Sequence, residues 1–334
     1  MYSSYLEKPH QLILNQINTP KAGAKEVLVK ISSVGICGSD VHLFTGHRTL
    51  TGQIPIGHEA VGVITEVGSS VSTSRIGERV VIEPNICCGS CYYCQSGKTE
   101  ICENKKSIGL THPGCFAEYV VVESDFAHPI DATVSEDNAV TIEPTAVAYH
   151  ALRMAHLPKK STIAILGLGA VGLLLTHLAN VFGHQVYAVD YNKKKCLKAE
   201  ELGAVSFELT SSNSSELKSM WNEKKIQTIF ECAGSKNAAP LTLENAPRGA
   251  RVILIGLSEH SFEIQPLNMV RNGIQLLTSI IYSHPTDFKE VIALVEQNKI
   301  NPGTIVTQKR PFHELQNAFM EAVSGTESKI VIQL

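Results

Sequence analysis

The residues best suited to chemistry lie between Cys37 and Glu59. They read Cys37-Gly38-Ser39-Asp40-Val41-His42 and then, after a polar, turn-rich run, Gly57-His58-Glu59. A thiol, an imidazole and a carboxylate are all donors that zinc accepts, and a catalytic zinc keeps three protein ligands and one open position. Ser39 and His42 add a hydroxyl and an imidazole, from which a proton path can be assembled. Each residue also has a plainer role. A cysteine can be a small buried hydrophobe, Ser39 and Asp40 suit a helix cap, and His42 suits a surface. The stretch gains force from two motifs further along the chain.

Cys88-x2-Cys91-x2-Cys94-x7-Cys102 is the strongest motif. Four thiolates at that spacing close a tetrahedral zinc site and stabilise a lobe with little apolar content of its own. The neighbours are Ser, Tyr, Gln, Gly and Lys, which argues against four unrelated core cysteines. The last spacing does not match the bacterial ferredoxin run of iron–sulfur proteins. A zinc ribbon for nucleic acid is opposed by Glu83, Glu100 and Glu103, which offset Lys98, Lys105 and Lys106. Cys87 reads as a bystander.

A second motif, Gly167-Leu168-Gly169-Ala170-Val171-Gly172, comes after the apolar run Thr162 to Leu166 and opens a helical pattern. That context makes it a dinucleotide fingerprint, in which the glycines let backbone N–H groups approach a pyrophosphate at a helix N-terminus. Asp190 ends the next apolar run, where a carboxylate bonds both ribose hydroxyls and repels a 2′-phosphate. That favours NAD. Lys193, Lys194 and Lys195 come next, and Lys195 is a candidate cofactor contact. Three consecutive lysines equally suit a solvated helix start.

The elements that must position these residues fall into two textures. Residues 1–142 alternate short β-rich runs with Gly and Pro: Val27–Ile31, Ala60–Ile64, Arg79–Ile82 and Ala117–Val122. This predicts a partly open barrel or sandwich. From Glu143, six apolar runs alternate with helical patterns: Ser161–Gly167, Gln185–Asp190, Val205–Leu209, Ile226–Glu231, Ala250–Gly256 and Ile274–Ile280. That rhythm predicts a doubly wound parallel sheet over 143–285. Residues 286–334 hold two helical patterns and a last strand that return to the first domain. Ser211 to Ser215 reads as a surface loop.

At 334 residues with 43% hydrophobic and 18% charged content, the chain reads as a soluble globular protein of two domains. A net charge of -3 argues against nucleic acid or an anionic membrane as a partner. No apolar run approaches the roughly 18–20 residues of a membrane span. Met1 to Lys8 lack the apolar core of a signal peptide, so a cytoplasmic address is expected.

Cys37 to His42, Gly57-His58-Glu59, the four-cysteine motif, Glu143-Pro144 and the glycine fingerprint occur in the order seen in zinc-dependent medium-chain dehydrogenases, which the whole chain resembles. The resemblance implies a GroES-like catalytic domain (1–142 and 286–334, with a zinc lobe at 83–105) and a Rossmann NAD-binding domain at 143–285. It also implies one catalytic and one structural zinc per chain, with Cys88, Cys91, Cys94 and Cys102 holding the second. Cys37, His58 and Glu59 would hold the first, with Glu143 approaching it, directly or through water, when substrate is absent and giving way during turnover; the alternative places Glu59 behind the ligands as a supporting carboxylate. Zinc lowers the pKa of bound water by roughly eight units, to about 7, on the order of 10 kcal/mol of preference for the anion. A bound alcohol would respond alike and pass its hydride to NAD, with Ser39 as first proton acceptor and His42 next. Ile82-Glu83-Pro84, Glu143 to Ala148 and Tyr282 to Phe288 look like the polyol and vicinal-diol branch. Animal sorbitol enzymes carry an Arg near Tyr282 and a Tyr near Leu43, which this chain lacks. Threonine-oxidising relatives carry a His where Asn85 stands. Relatives in the branch form tetramers and, less commonly, dimers, so a homo-oligomer is implied, a tetramer before a dimer.

Two other readings compete. A zinc-free NADPH quinone or enal reductase shares the fold but gives no reason for Cys37, His58 and Glu143 together. A non-enzymatic zinc or nucleic-acid-binding protein accounts for the cysteines and leaves the fingerprint idle.

Overall fold

Burial along Glu26–Gly35 explains why this segment becomes the spine of the first unit: Val27, Val29, Ile31 and Val34 are all inside. In the computed structural model, which describes residues 1–50, 52–210 and 212–334, this strand pairs antiparallel with Glu59–Val67, Tyr119–Glu123 and Ile330–Gln333. The sheet runs Gln308–Pro311, Ile330–Gln333, Glu26–Gly35, Glu59–Val67, Arg79–Ile82, Ala127–Pro129, with Tyr119–Glu123 joining on the spine strand. Register shifts at Leu28/Val29 and Ile31/Ser33 mark irregularities of the bulge kind, which bend a strand and strengthen its twist. The C-terminal segment joins this sheet through Gln308–Pro311 and Ile330–Gln333. Helix Leu315–Val323 sets Phe319 against Phe44 and Phe116, with ring centroids 5.1 and 5.5 Å away. A hairpin of Tyr2–Lys8 and Gln11–Gln16, whose polar residues give no strand signal, precedes the spine.

Residues pack into two units, Met1–Pro144 with Ser283–Leu334, and Thr145–Tyr282. The division falls within helix Ile142–Met154. In the second unit the six expected runs form one parallel sheet. Its order is Val205–Glu208, Gln185–Asp190, Thr162–Leu166, Thr228–Glu231, Arg251–Leu254, Gln275–Thr278. The order reverses direction beside the strand Thr162–Leu166, the switch point where doubly wound folds bind dinucleotides. Ile163, Ala164, Ile165 and Leu166 are all buried, as strands covered on both faces require. Ser212 to Ser215 form turns, and Ser211 lies outside the described residues. Among the described residues no helix is long and apolar enough to cross a membrane.

Candidate active site

Three neighbouring strands end at one place, and sheet register decides what meets there. Gly35, at the end of the spine strand, pairs with Glu59 on one side and Val331 on the other. Cys37 therefore emerges between Glu59 and Lys329, residues far apart in sequence. Gly57, at φ +92, turns the chain just before the strand that begins at Glu59, so His58 is freed from strand alternation. A Cβ on Gly57 would meet the Phe116 ring at 2.5 Å, and one on Gly35 would meet Glu59 Oε2 at 2.2 Å. Gly35 thus keeps space for the Glu59 carboxylate, and Gly57 for the core ring behind the turn. One donor atom each from Cys37, His58 and Glu59 lies within 4.8 Å of the others.

The surroundings set the charge. His58 Nδ1 faces Asp40 Oδ1 at 3.3 Å, leaving the other ring nitrogen for a metal. Burial would lower the His58 pKa, but Asp40 and then Cys37 outweigh it and raise it well above the ordinary value. Asp40 is itself held by the Cys37 N–H, which donates to its Oδ2 at 3.0 Å. Glu59 is fully buried and does not stand alone: Lys329 Nζ donates to its two oxygens at 2.7 and 2.6 Å and to Ile36 O at 3.1 Å. Glu143 is buried at the first turn of helix Ile142–Met154. Burial, with Glu59 and Asp40 adding, pushes its carboxyl up to about 7, against His58 and Lys329, which lower it.

Ser39 and His42 share helix Gly38–Phe44, three residues apart and so on neighbouring positions of its surface. Ser39 is half-buried and His42 exposed, which orders them from inside to solvent. The cap position is taken by Cys37 and the cap carboxylate by Asp40, so Ser39 is free of that duty.

The four thiols at Cys88, Cys91, Cys94 and Cys102 also converge within 4.8 Å. Cys91 N–H donates to Cys88 Sγ at 3.4 Å and Cys88 N–H to Cys102 Sγ at 3.3 Å. Donors from Ser90 and from Cys91 draw the Cys88 thiol down to about 5, towards the thiolate a metal requires. Cys87 packs instead against the apolar core.

In the second unit, Gly169 caps helix Ala170–Val181. A Cβ on Gly172 would lie 1.9 Å from Gly167 O, whereas one on Gly169 would meet nothing within 4 Å, so the loop is tight on one side and open on the other. Asp190 accepts from Leu168 N–H at 2.7 Å through Oδ2 and from Asn192 N–H at 2.8 Å through Oδ1. Its carboxylate thus fastens the glycine loop to the end of the adjacent strand. Asn192 caps the helix Lys193–Glu201 by accepting from Lys194 and Lys195 N–H, and Lys195 is half-buried while Lys193 and Lys194 are more open to solvent at the helix start.

Two family models match this chain: the alcohol dehydrogenase GroES-like domain over residues 23–132 and the zinc-binding dehydrogenase domain over 170–297. The chain belongs to the zinc-dependent medium-chain dehydrogenases. Sorbitol dehydrogenase of Bacillus subtilis is 29% identical over 335 residues, covering 97% of this chain and 94% of the relative. An Escherichia coli dehydrogenase, RspB, solved with NADH, is 28% identical with a TM-score of 0.91, over 100% of this chain and 99% of that one. A Sinorhizobium meliloti protein bound to NADP is 28% identical with a TM-score of 0.90, over 100% and 99%.

The donor sets fit what a dehydrogenase of this family needs. Four thiols suit a closed structural zinc, and a thiol, an imidazole and buried carboxylates suit an open one. Two residues of this medium-chain dehydrogenase's site do not stand out in the sequence. Asp40 reads there only as a helix cap, although it stands three residues from Cys37. Lys329 opens an apolar C-terminal strand, and a lysine in that position is the available sign of a buried partner.

Proposed function

We propose that the enzyme oxidises a secondary alcohol of a polyol, sugar acid or vicinal diol to the ketone, with NAD as acceptor. The observation that carries this is the convergence of Cys37, His58 and Glu59 at the ends of two neighbouring strands, with Glu143 buried beside them. When bound, zinc acidifies the substrate hydroxyl and NAD takes the hydride from its carbon.

The protein supplies charge balance and a proton route. Lys329 neutralises Glu59, so the pair adds no net charge to the site. Cys37 as thiolate and Glu143 as carboxylate then balance a divalent ion, with His58 neutral and oriented by Asp40. Glu143 is the carboxylate able to come and go, while Glu59 stays with Lys329, which holds both of its oxygens. Ser39 would take the hydroxyl proton as it passes its own on towards His42, which would release it to solvent. Asp190 holds the ribose hydroxyls and opposes a 2′-phosphate, against the pull of Lys193, Lys194 and Lys195. The branch resemblance at Glu83-Pro84 and Tyr282 to Phe288, and the relative named for sorbitol, support the polyol class. Asn85, whose Oδ1 accepts from Ser107 Oγ at 3.2 Å, offers no imidazole for an amino acid substrate.

Metal analysis with a reduced-nicotinamide absorbance assay over a panel of polyols and diols tests this. Zinc at both sites and turnover with NAD on at least one secondary alcohol are expected. A zinc-loaded enzyme that reduces quinones or enals with NADPH, and oxidises no alcohol, would overturn it.

A further inference from the structure

Apart from the active site and the cysteine lobe, three more metal-ligating side chains converge in the first unit. Glu83 comes directly after the strand Arg79–Ile82, and His128 lies on Ala127–Pro129, which pairs with that strand. His284 stands just before helix Thr286–Glu296, where the chain re-enters the unit. His128 Nε2 lies 2.6 Å and His284 Nδ1 2.8 Å from one oxygen, Glu83 Oε2. Donor atoms of the three residues lie within 4.8 Å of one another. Glu83 is 0% exposed, and its other oxygen, Oε1, has no hydrogen-bond partner among the described residues.

A buried carboxylate with an unpartnered oxygen calls for an ion or an unseen donor. Among the described residues only the two imidazoles pair with Glu83; no lysine or arginine does. The rings are fixed from behind. Phe126 stacks on His284 with centroids 4.4 Å apart, and Phe288 lies 5.0 Å from His128. The backbone of His284 is clamped as well: its N–H donates to Thr99 Oγ1 at 2.7 Å, and Ser283 Oγ donates to Glu100 Oε2 at 2.8 Å.

We propose that Glu83, His128 and His284 form a third divalent-cation site, for zinc or an ion of like preference, fastening the returning segment to the sheet. Two imidazoles and a carboxylate are a recognised zinc donor set. The 2.6 and 2.8 Å contacts are proton-held. Tetrahedral ligands about 2.0 Å from zinc stand roughly 3.3 Å apart, so loading needs an opening of about half an ångström. The cation replaces the protons at His128 Nε2 and His284 Nδ1; each ring keeps one proton on its other nitrogen, and any excess leaves to solvent. The side chains are 0%, 5% and 19% exposed for Glu83, His128 and His284, so the cluster is closed to a substrate. With the cluster closed to substrate and the His284 backbone clamped to the cysteine lobe, the role is to fasten the returning segment.

The test strips the full-length protein with a chelator, reloads it with cobalt(II), and counts metal per chain by mass spectrometry. Wild type, His284→Asn, Glu83→Gln, Cys37→Ser and Cys88→Ser are compared. Three ions per chain are expected in wild type. His284→Asn and Glu83→Gln should each lose one ion and keep the full thiolate-to-cobalt absorption, because the lost ligands contain no sulfur. The cysteine variants should lose part of that absorption, which reports separately on the two sulfur-containing sites. Saturation of wild type at two ions overturns the proposal, as does a third ion that both variants retain. Should the variants fail to fold, the wild-type titration decides: a third equivalent that adds no sulfur band supports the site, and its absence overturns it.

Discussion

Lys329→Met is the sharpest perturbation of the active-site charge. The Lys329 side chain is 1% exposed and its ammonium bridges both oxygens of a Glu59 that is 0% exposed. Removing one member of a buried ion pair strands the other, at a cost of about 3–5 kcal/mol. Here the stranded carboxylate also neighbours Glu143 and the Cys37 thiol, whose negative forms would add to the repulsion. Replacing both members removes the stranded charge, so Lys329→Met with Glu59→Gln should recover most of the loss. Urea unfolding of metal-stripped protein, read by hydrogen exchange along Ile330–Gln333, reports on the first unit. Trp221, the only tryptophan, is buried in the second unit and serves as an internal control whose midpoint should stay put. A single variant costing less than about 1 kcal/mol, or a double variant no better than the single, would refute the charge argument.

Other consequences arise from the same geometry. In metal-stripped protein, Glu143 titrates near 7 when folded and near 4.5 when unfolded, so the folded chain binds more protons between those values. Stability should fall as pH rises through that window, by roughly 3 kcal/mol from this group, and His58, whose pKa is also raised on folding, should carry the fall on to higher pH; Glu143→Gln should remove the lower-pH part of the slope in pH-dependent unfolding. Asp190→Ser should lower the NAD-over-NADP ratio of kcat/KM at least about tenfold, corresponding to roughly 1.4 kcal/mol, in steady-state assays with both cofactors. Cys37→Ser should abolish turnover with the lobe metal retained, as metal counting would show. Removing the lobe metal by Cys102→Ser should speed hydrogen exchange at Ser283 to Asp287, because Thr99 and Glu100, which clamp that segment, stand just before Cys102.

Features that depend on short spacing are readable in the chain itself. The cysteine motif and the glycine fingerprint each lie within 15 residues, and the six parallel strands announce themselves by apolar runs buried on both faces. Features that depend on register are not. Strand alternation would send His58 and Glu59 to opposite faces; Gly57 resolves this by turning the chain one residue before His58 and the strand beyond it. Lys329 reaches Glu59 across 270 residues because Val331 and Glu59 flank the same Gly35. His284 reaches Glu83 across 201 residues for a comparable reason, the return of the chain to its first unit. The Tyr2–Lys8 strand gives no alternating apolar pattern because two of its buried positions, on opposite faces, are Ser3 and Ser4.

The residues hidden by register share a physical cause that bears on the chemistry. Local motifs name the donors a metal can use, but the metal's acidity towards a bound hydroxyl depends on the net charge of everything within a few ångströms. That charge is set at the sheet end by Asp40, Glu59, Glu143 and Lys329, of which only the two glutamates belong to the expected ligand set. Counting Cys37, Glu59 and Glu143 alone predicts one negative charge in excess of zinc, and so a weakened pull on the substrate. Adding Lys329 cancels the charge of Glu59 without moving a single ligand, so the three candidate ligands and Lys329 together balance a divalent ion, and Asp40 behind His58 leaves the wider surroundings one charge negative. Under the proposed function the residue that opens the C-terminal strand would tune the reaction without touching the substrate, and truncation before Lys329 should cost activity even where the remaining sheet still folds.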